Sequence, residues 1–155
     1  MVEQRTADVN LLELERQVCF ALALASRGVI AVYRPVLEPL QLTHPQYLVM
    51  LALWQYAPLS VTELSDLLQL EPATVSPLLK RLEQVGYLRR ERNPDNERAL
   101  RITLTPEGVA LRTEAVKIPE RIMSLLDLDL DDVQELHRFL GRLIEKSRRV
   151  RPNAS

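Results

Sequence analysis

A mainly helical chain carrying one small β-hairpin is what the sequence predicts, and three observations predict it. Apolar residues recur at spacings of three and four over most of the 155 residues. A single region, residues 87–105, instead alternates apolar and polar positions around the turn-forming Asn93-Pro94-Asp95-Asn96. Two short helical patterns lie directly before that hairpin, joined by a break at Leu70-Glu71-Pro72.

The composition suits one domain, 1–155: 46% of residues are hydrophobic and 26% charged, enough for a sizeable core. No 18-residue apolar run and no leader-like start are expected, so neither a membrane span nor a signal peptide is read here. One cysteine excludes an internal disulfide, which points to the cytoplasm. Cys19, His44 and His137 lack metal-ligand spacing, so no metal and no cofactor is implied.

The first helix is expected from about Asn10 to Arg34, with Leu11, Leu14, Val18, Leu22, Ala25, Val29 and Val32 on its apolar side. Asn10 or Asp8 can cap it, and Pro35 ends it. At roughly 1.5 Å per residue it is about 37 Å long, more than this domain needs for its own core. It is therefore expected to pack on a second copy of the chain. A second helix begins at Leu42, with Thr43 as cap and Pro45 in the first turn; Val49, Leu53 and Trp54 face the core, with Tyr47 a further candidate for it.

Val61, Leu64, Leu67 and Leu68 then make a short amphipathic helix that Thr62 can cap. After the break, Pro72 opens a helix to Val85 that buries Val75, Leu78, Leu79 and Leu82 and is closed by Gly86. Its outward residues are Ala73, Thr74, Ser76, Pro77, Lys80 and Arg81. Small and hydroxyl side chains let a helix approach base edges, while Lys80 and Arg81 can hold phosphates. The hairpin adds Arg90 and Arg98, and between Lys80 and Arg101 seven basic residues face four acidic ones, a local net of +3 on a chain of net −1. A helix-turn-helix followed by a basic hairpin is a winged helix-turn-helix, here spanning 59–105, with the electrostatic footprint of a DNA reader.

Beyond the wing, Thr105 to about Asp127 reads as a long helix bent or broken at Pro119. An acid-capped last helix follows from about Asp131 to Arg149, with Val133, Leu136, Leu140, Leu143 and Ile144 on one face. Residues 8–40 and 106–150 are thus expected to flank the DNA-reading lobe as dimerisation helices. A homodimer would set two recognition helices about one turn of DNA apart on a pseudo-palindromic double-stranded operator.

Asn96-Glu97-Arg98, Ile102-Thr103-Leu104-Thr105 and Pro106-Glu107-Gly108 resemble the wing and next-helix signature of the MarR family of transcription regulators. That resemblance implies that Arg98 reaches into the minor groove. The family more often has Asp at Asn96, which leaves open the salt bridge that usually steadies the wing; Asp95 is the candidate to supply it. Gln17-Val18-Cys19-Phe20-Ala21-Leu22, Tyr33-Arg34-Pro35, Leu42-Thr43-His44-Pro45-Gln46-Tyr47, Pro77-Leu78-Leu79-Lys80-Arg81-Leu82 and Val116-Lys117-Ile118-Pro119 are similar to the organic-hydroperoxide-sensing group of that family, OhrR, in its one-cysteine form. This implies that Cys19 is a redox sensor hydrogen-bonded by Tyr33. A second tyrosine of the group is replaced by His44, which either serves the sulfur in its place or is an ordinary water-facing helix-start residue.

Placed mid-helix, Cys19 gains little from the helix dipole, so hydroxyl and imidazole donors must favour its thiolate. Cys19 and Tyr33 lie 14 positions apart, about 21 Å along one helix, so their contact must cross a dimer interface. Oxidation by an organic hydroperoxide and capture by a small thiol, the two expected effectors, would then release DNA. Phe20, Ala23, Leu24, Leu48, Met50 and Leu51 are the expected apolar surroundings. The alternative is a regulator released by a small aromatic ligand, with Cys19 structural. An enzyme, a thiol peroxidase, is disfavoured because the chain has no resolving cysteine and no cysteine at a helix start.

Overall fold

The computed structural model describes residues 12–150, without the side chains of Arg16, Glu97 and Arg98. The expected caps Asp8 and Asn10 lie outside the described residues. A 3-10 turn, Leu14–Arg16, leads into α1, Val18–Leu37. The helix therefore starts some eight residues later than periodicity suggested, because Gln17 is extended (φ −76°, ψ 115°). Its end is also displaced. Pro35 lies inside α1, and the burial of Val36 and Leu37 carries the helix past the point where proline was expected to stop it. With the 3-10 turn that follows, Val18–Leu40 is by length and composition apolar enough to cross a membrane, contrary to expectation. The run is easily missed because Arg27 and Arg34 interrupt it.

α2, His44–Tyr56, begins with a reciprocal cap. Thr43 donates its N–H to Gln46 Oε1 at 2.9 Å, and Gln46 N–H returns to Thr43 Oγ1 at 3.4 Å. α3, Val61–Leu68, uses the same device from Ser60 and Glu63, at 2.7 and 3.1 Å. Thr62, the expected cap, is thus already helical. Leu67 is 48% exposed, off the apolar stripe assigned to it, because Leu64 and the half-buried Leu68 already face the core.

Gln69 turns the chain in the left-handed region (φ 53°), and Glu71-Pro72 opens α4, Pro72–Val85. Gly86 closes it at φ 98°, a conformation that favours glycine. β2, Leu88–Asn93, and β3, Asn96–Leu104, pair antiparallel with Leu88 opposite Leu104 and Arg90 opposite Ile102. A two-residue strand β1, Leu59–Ser60, pairs Leu59 with Ile102, so the wing is three-stranded in the order β1-β3-β2. Two residues are too few for periodicity to reveal, and β1 was not expected.

The helix expected to bend or break at Pro119 is broken just before it, into α5, Pro106–Ala115, and α6, Ile118–Leu125. Pro119 falls in the first turn of α6, where its missing N–H costs nothing. α7, Leu130–Val150, is opened by Asp129 and Asp132, each accepting the other's backbone N–H at 2.8 and 3.1 Å.

One core joins the end of α1 to α2, α3, α4, the sheet, α5 and α6. Leu37, Met50, Leu53, Leu64, Leu79, Leu82, Leu88 and Ile102 are fully buried within it. Each such side chain stabilises by about 1.5–3 kcal/mol relative to exposure. α7 contributes nothing to this core. None of its residues is buried, and Leu136, Phe139 and Ile144 are each at least half exposed.

Candidate redox site and nucleic-acid interface

Tyr33 comes from the last third of α1 and His44 from the first position of α2, directly after its Thr43 cap. Their rings meet edge-on with centroids 4.9 Å apart. Tyr47, one turn further along α2, completes a cluster at 5.9 Å from Tyr33 and 6.4 Å from His44. Burial lowers the His44 pKa from its usual value, favouring the neutral imidazole, and raises those of Tyr33 and Tyr47. Tyr47 is raised further by the neighbouring Tyr33. All three thus present protonated oxygens or a neutral ring. Tyr47 read in the sequence only as a core position; its place in this cluster follows from the helical spacing of His44 and Tyr47, a signal that was available.

Cys19 is exposed and sits in the first turn of α1, not in its middle. One ground against a thiol peroxidase, the absence of a cysteine at a helix start, therefore does not hold; the lack of a second cysteine still does. Tyr33 remains 14 positions away on the same helix, about 21 Å by helical rise, and the chain by itself does not bring the two together. Of the expected apolar surroundings, Met50 belongs to the chain's own core, whereas Leu24 and Leu51 are exposed.

α1 from Val18 to Ala31 has no buried residue, and Leu22, Leu24 and Ile30 lie open on it. Exposed apolar side chains recur along α1 and again along α7, more than singly scattered surface residues would give.

Ala73, Thr74, Ser76, Pro77, Lys80 and Arg81 are all exposed along α4. Ser76 Oγ donates to Pro72 O at 3.0 Å. Arg90 does not project freely: its Nε and Nη2 donate to both carboxylate oxygens of Glu83 at 3.1 Å, and Glu83 also accepts Arg90 N–H at 3.0 Å. Expected to contact DNA, Arg90 is instead engaged in tying β2 to α4. The Arg98 side chain lies outside the described residues, as does any ion pair between it and Asp95. Asp95 N–H donates to Asn93 Oδ1 within the turn.

The wing is rooted on α5 by a close approach. A Cβ on Gly108 would stand 2.0 Å from Tyr87 O. Thr105 Oγ1 donates to Gly86 O at 2.5 Å and accepts Gly108 N–H, while Trp54 Nε1 donates to Gly108 O at 2.8 Å.

Residues 42–100 match the MarR family model. Over 134 residues the chain is 39% identical to the organic hydroperoxide resistance transcriptional regulator of Bacillus subtilis (strain 168), covering 86% of this chain and 91% of that one. The chain belongs to the MarR family. As a MarR-family protein it is a DNA-binding transcription regulator with a winged-helix fold. It is also 39% identical over 132 residues to the HTH-type transcriptional regulator MgrA of Staphylococcus aureus, covering 84% of this chain and 90% of that one. Among solved structures, reduced AbfR bound to DNA matches with a TM-score of 0.79 and 31% identity over 88% of this chain and 94% of that one.

Proposed function

We propose that this MarR-family protein is a cytoplasmic homodimeric repressor that senses organic hydroperoxides through Cys19 and then leaves its operator. The observation that carries the reading is the Tyr33–His44 pair: two half-buried rings 4.9 Å apart, one on α1 and one at the start of α2, with Cys19 too far along α1 to reach them within the same chain. A two-fold axis resolves the mismatch. Antiparallel packing of α1 on its copy, with residue 26 at the crossing, sets Cys19 of each subunit against position 33 of the other. Ala25, Ser26 and Gly28 are small enough for that crossing, and a Cβ at Gly28 meets nothing within 4 Å. The similarity to a hydroperoxide resistance regulator and to reduced AbfR on DNA supports the same reading.

In this reading the Cys19 thiolate attacks the peroxide, forming an S–O bond as the O–O bond breaks, and the alkoxide leaves to be protonated. Tyr33 and His44 of the partner copy hold the sulfur by hydrogen bonds. A small thiol then converts the sulfenic acid to a mixed disulfide. The added bulk at the seam changes the separation of the two α4 helices and releases DNA. Ala73, Thr74, Ser76 and Pro77 face base edges, Lys80 and Arg81 hold phosphates, and Arg98 enters the minor groove.

Stoichiometric cumene hydroperoxide followed by intact mass and a gel shift tests the sensor. Wild-type protein is expected to gain one oxygen or one thiol adduct and lose at least tenfold in DNA affinity, while Cys19→Ser keeps its affinity. A Cys19→Ser protein that still leaves DNA on oxidation would sink the reading.

A second reading has its own observation. A cleft of about 320 Å³ between α2 and α5–α6 is lined by Tyr47, Leu51, Trp54, Val116 and Pro119 with Arg112 at its side, a shape and chemistry suited to a small aromatic anion. Release of DNA by such a ligand from Cys19→Ser protein, which has no thiol to oxidise, would favour it.

A further inference from the structure

Beside the Tyr33–His44 pair, the outer side of α1 and the start of α2 enclose an open groove of about 620 Å³. Arg27 and Arg34 line it seven residues apart on α1, over a floor of Ile30, Ala31, Leu42 and Pro45, with His44 at the end it shares with the ring cluster. Neither arginine has an ion-pair partner among the described residues, and Glu38 is the one carboxylate in the lining. Both guanidinium groups are permanently charged, so the groove carries net positive charge next to a mostly apolar floor. A concave site of this kind concentrates small anions by electrostatic attraction.

We propose that this groove is the docking subsite for an anionic low-molecular-weight thiol, held by its carboxylates on Arg27 and Arg34 while its sulfur attacks oxidised Cys19. The inference rests on the sensor reading above, which seats the partner copy's sulfur against Tyr33 and His44, and so at the mouth of the groove. The chain has a single cysteine, so a sulfenic acid formed there has no thiol within the subunit to capture it. In the capturing step the thiolate forms an S–S bond to the sulfenyl sulfur of Cys19. The S–O bond breaks, and hydroxide leaves and takes a proton to become water. The sulfenyl sulfur is reduced as the incoming sulfur is oxidised. Fork-shaped guanidinium groups bind a carboxylate through paired N–H donors, which fixes the direction from which the sulfur arrives. Charge thereby selects which cellular thiol seals the switch.

The test uses the full chain, oxidised with one equivalent of cumene hydroperoxide and presented with 3-mercaptopropionate, 2-mercaptoethanol or cysteamine. Adduct formation is followed by intact mass and compared at equal thiolate concentration. The expected order is 3-mercaptopropionate, then 2-mercaptoethanol, then cysteamine, with about tenfold between the ends, and the spread narrows in 0.5 M salt. Arg27→Gln/Arg34→Gln, checked for folding by circular dichroism, is expected to bring the three rates within about twofold of one another. A wild-type protein indifferent to thiol charge, or a double variant that keeps the full order, overturns the groove assignment. Dimedone labelling of the sulfenic acid separates the two claims. A labelled Cys19 with no charge preference leaves the sensor standing and removes the groove, whereas absence of label in wild-type protein removes both.

Discussion

His44 is the residue at which this chain departs from the group it resembles, and its surroundings say what the change does. Its ring stands edge-on to Tyr33 and burial lowers its pKa, so at neutral pH it is an uncharged ring with one N–H to donate. Charge is therefore not what it offers the sulfur. Folding lowers the pKa, so below about pH 6.5 the unfolded chain binds the proton first, and stability falls as pH drops from that value towards the folded one. Above 6.5 this group contributes no pH dependence. The melting temperature of the wild-type protein is expected to decline between pH 7 and pH 5.5 more than that of His44→Gln, measured by scanning fluorimetry. Equal slopes would show that the ring is not desolvated in the assembled protein. Cys19 makes the complementary point: its residue type was readable, but its position in a helix turn was not, because that depends on where Gln17 becomes extended.

Among the elements, the wing's root leaves no room at Gly108. Gly108→Ala would set a methyl group 2.0 Å from Tyr87 O, a backbone atom that cannot rotate away. The expected cost is about 1–3 kcal/mol, the range for overpacking, seen as a lower denaturation midpoint with an unchanged slope. Along α4, Lys80→Ala is expected to weaken DNA binding uniformly across sequences and to reduce the slope of log affinity against log salt by about 1. Anisotropy titrations at several salt concentrations would show it, and an unchanged slope would remove Lys80 from the phosphate contacts.

The helices of this lobe were legible because apolar spacing and the Pro72 and Gly86 boundaries act within a few residues. β1 was not, since its pairing of Leu59 with Ile102 joins segments distant in sequence, and the bond between Arg90 and Glu83, seven residues apart, depends on how β2 folds back beside α4. The sensor cluster was half legible: Tyr33 and His44 were named and do meet, while Tyr47 read only as core.

At the scale of the whole molecule, two long helices present apolar side chains that the chain's own core does not use. A two-fold pairing with residue 26 at the crossing makes a direct demand. In a Cys19→Ser background, Ser26→Cys is expected to form an intersubunit disulfide in more than half of the protein under mild oxidation, since like residues at a helix crossing can meet the Cα spacing that a disulfide requires. Non-reducing electrophoresis reads it, and a monomeric band would place the crossing elsewhere. The indole of Trp54, the chain's single tryptophan, donates to the carbonyl of the glycine pressed against the wing's root. The regulator thus has an intrinsic fluorophore bonded to α5 where the wing is rooted, so a shift that parts α2 from α5 is expected to alter the emission of unlabelled protein, and the timing of the switch can be followed in a stopped-flow cell.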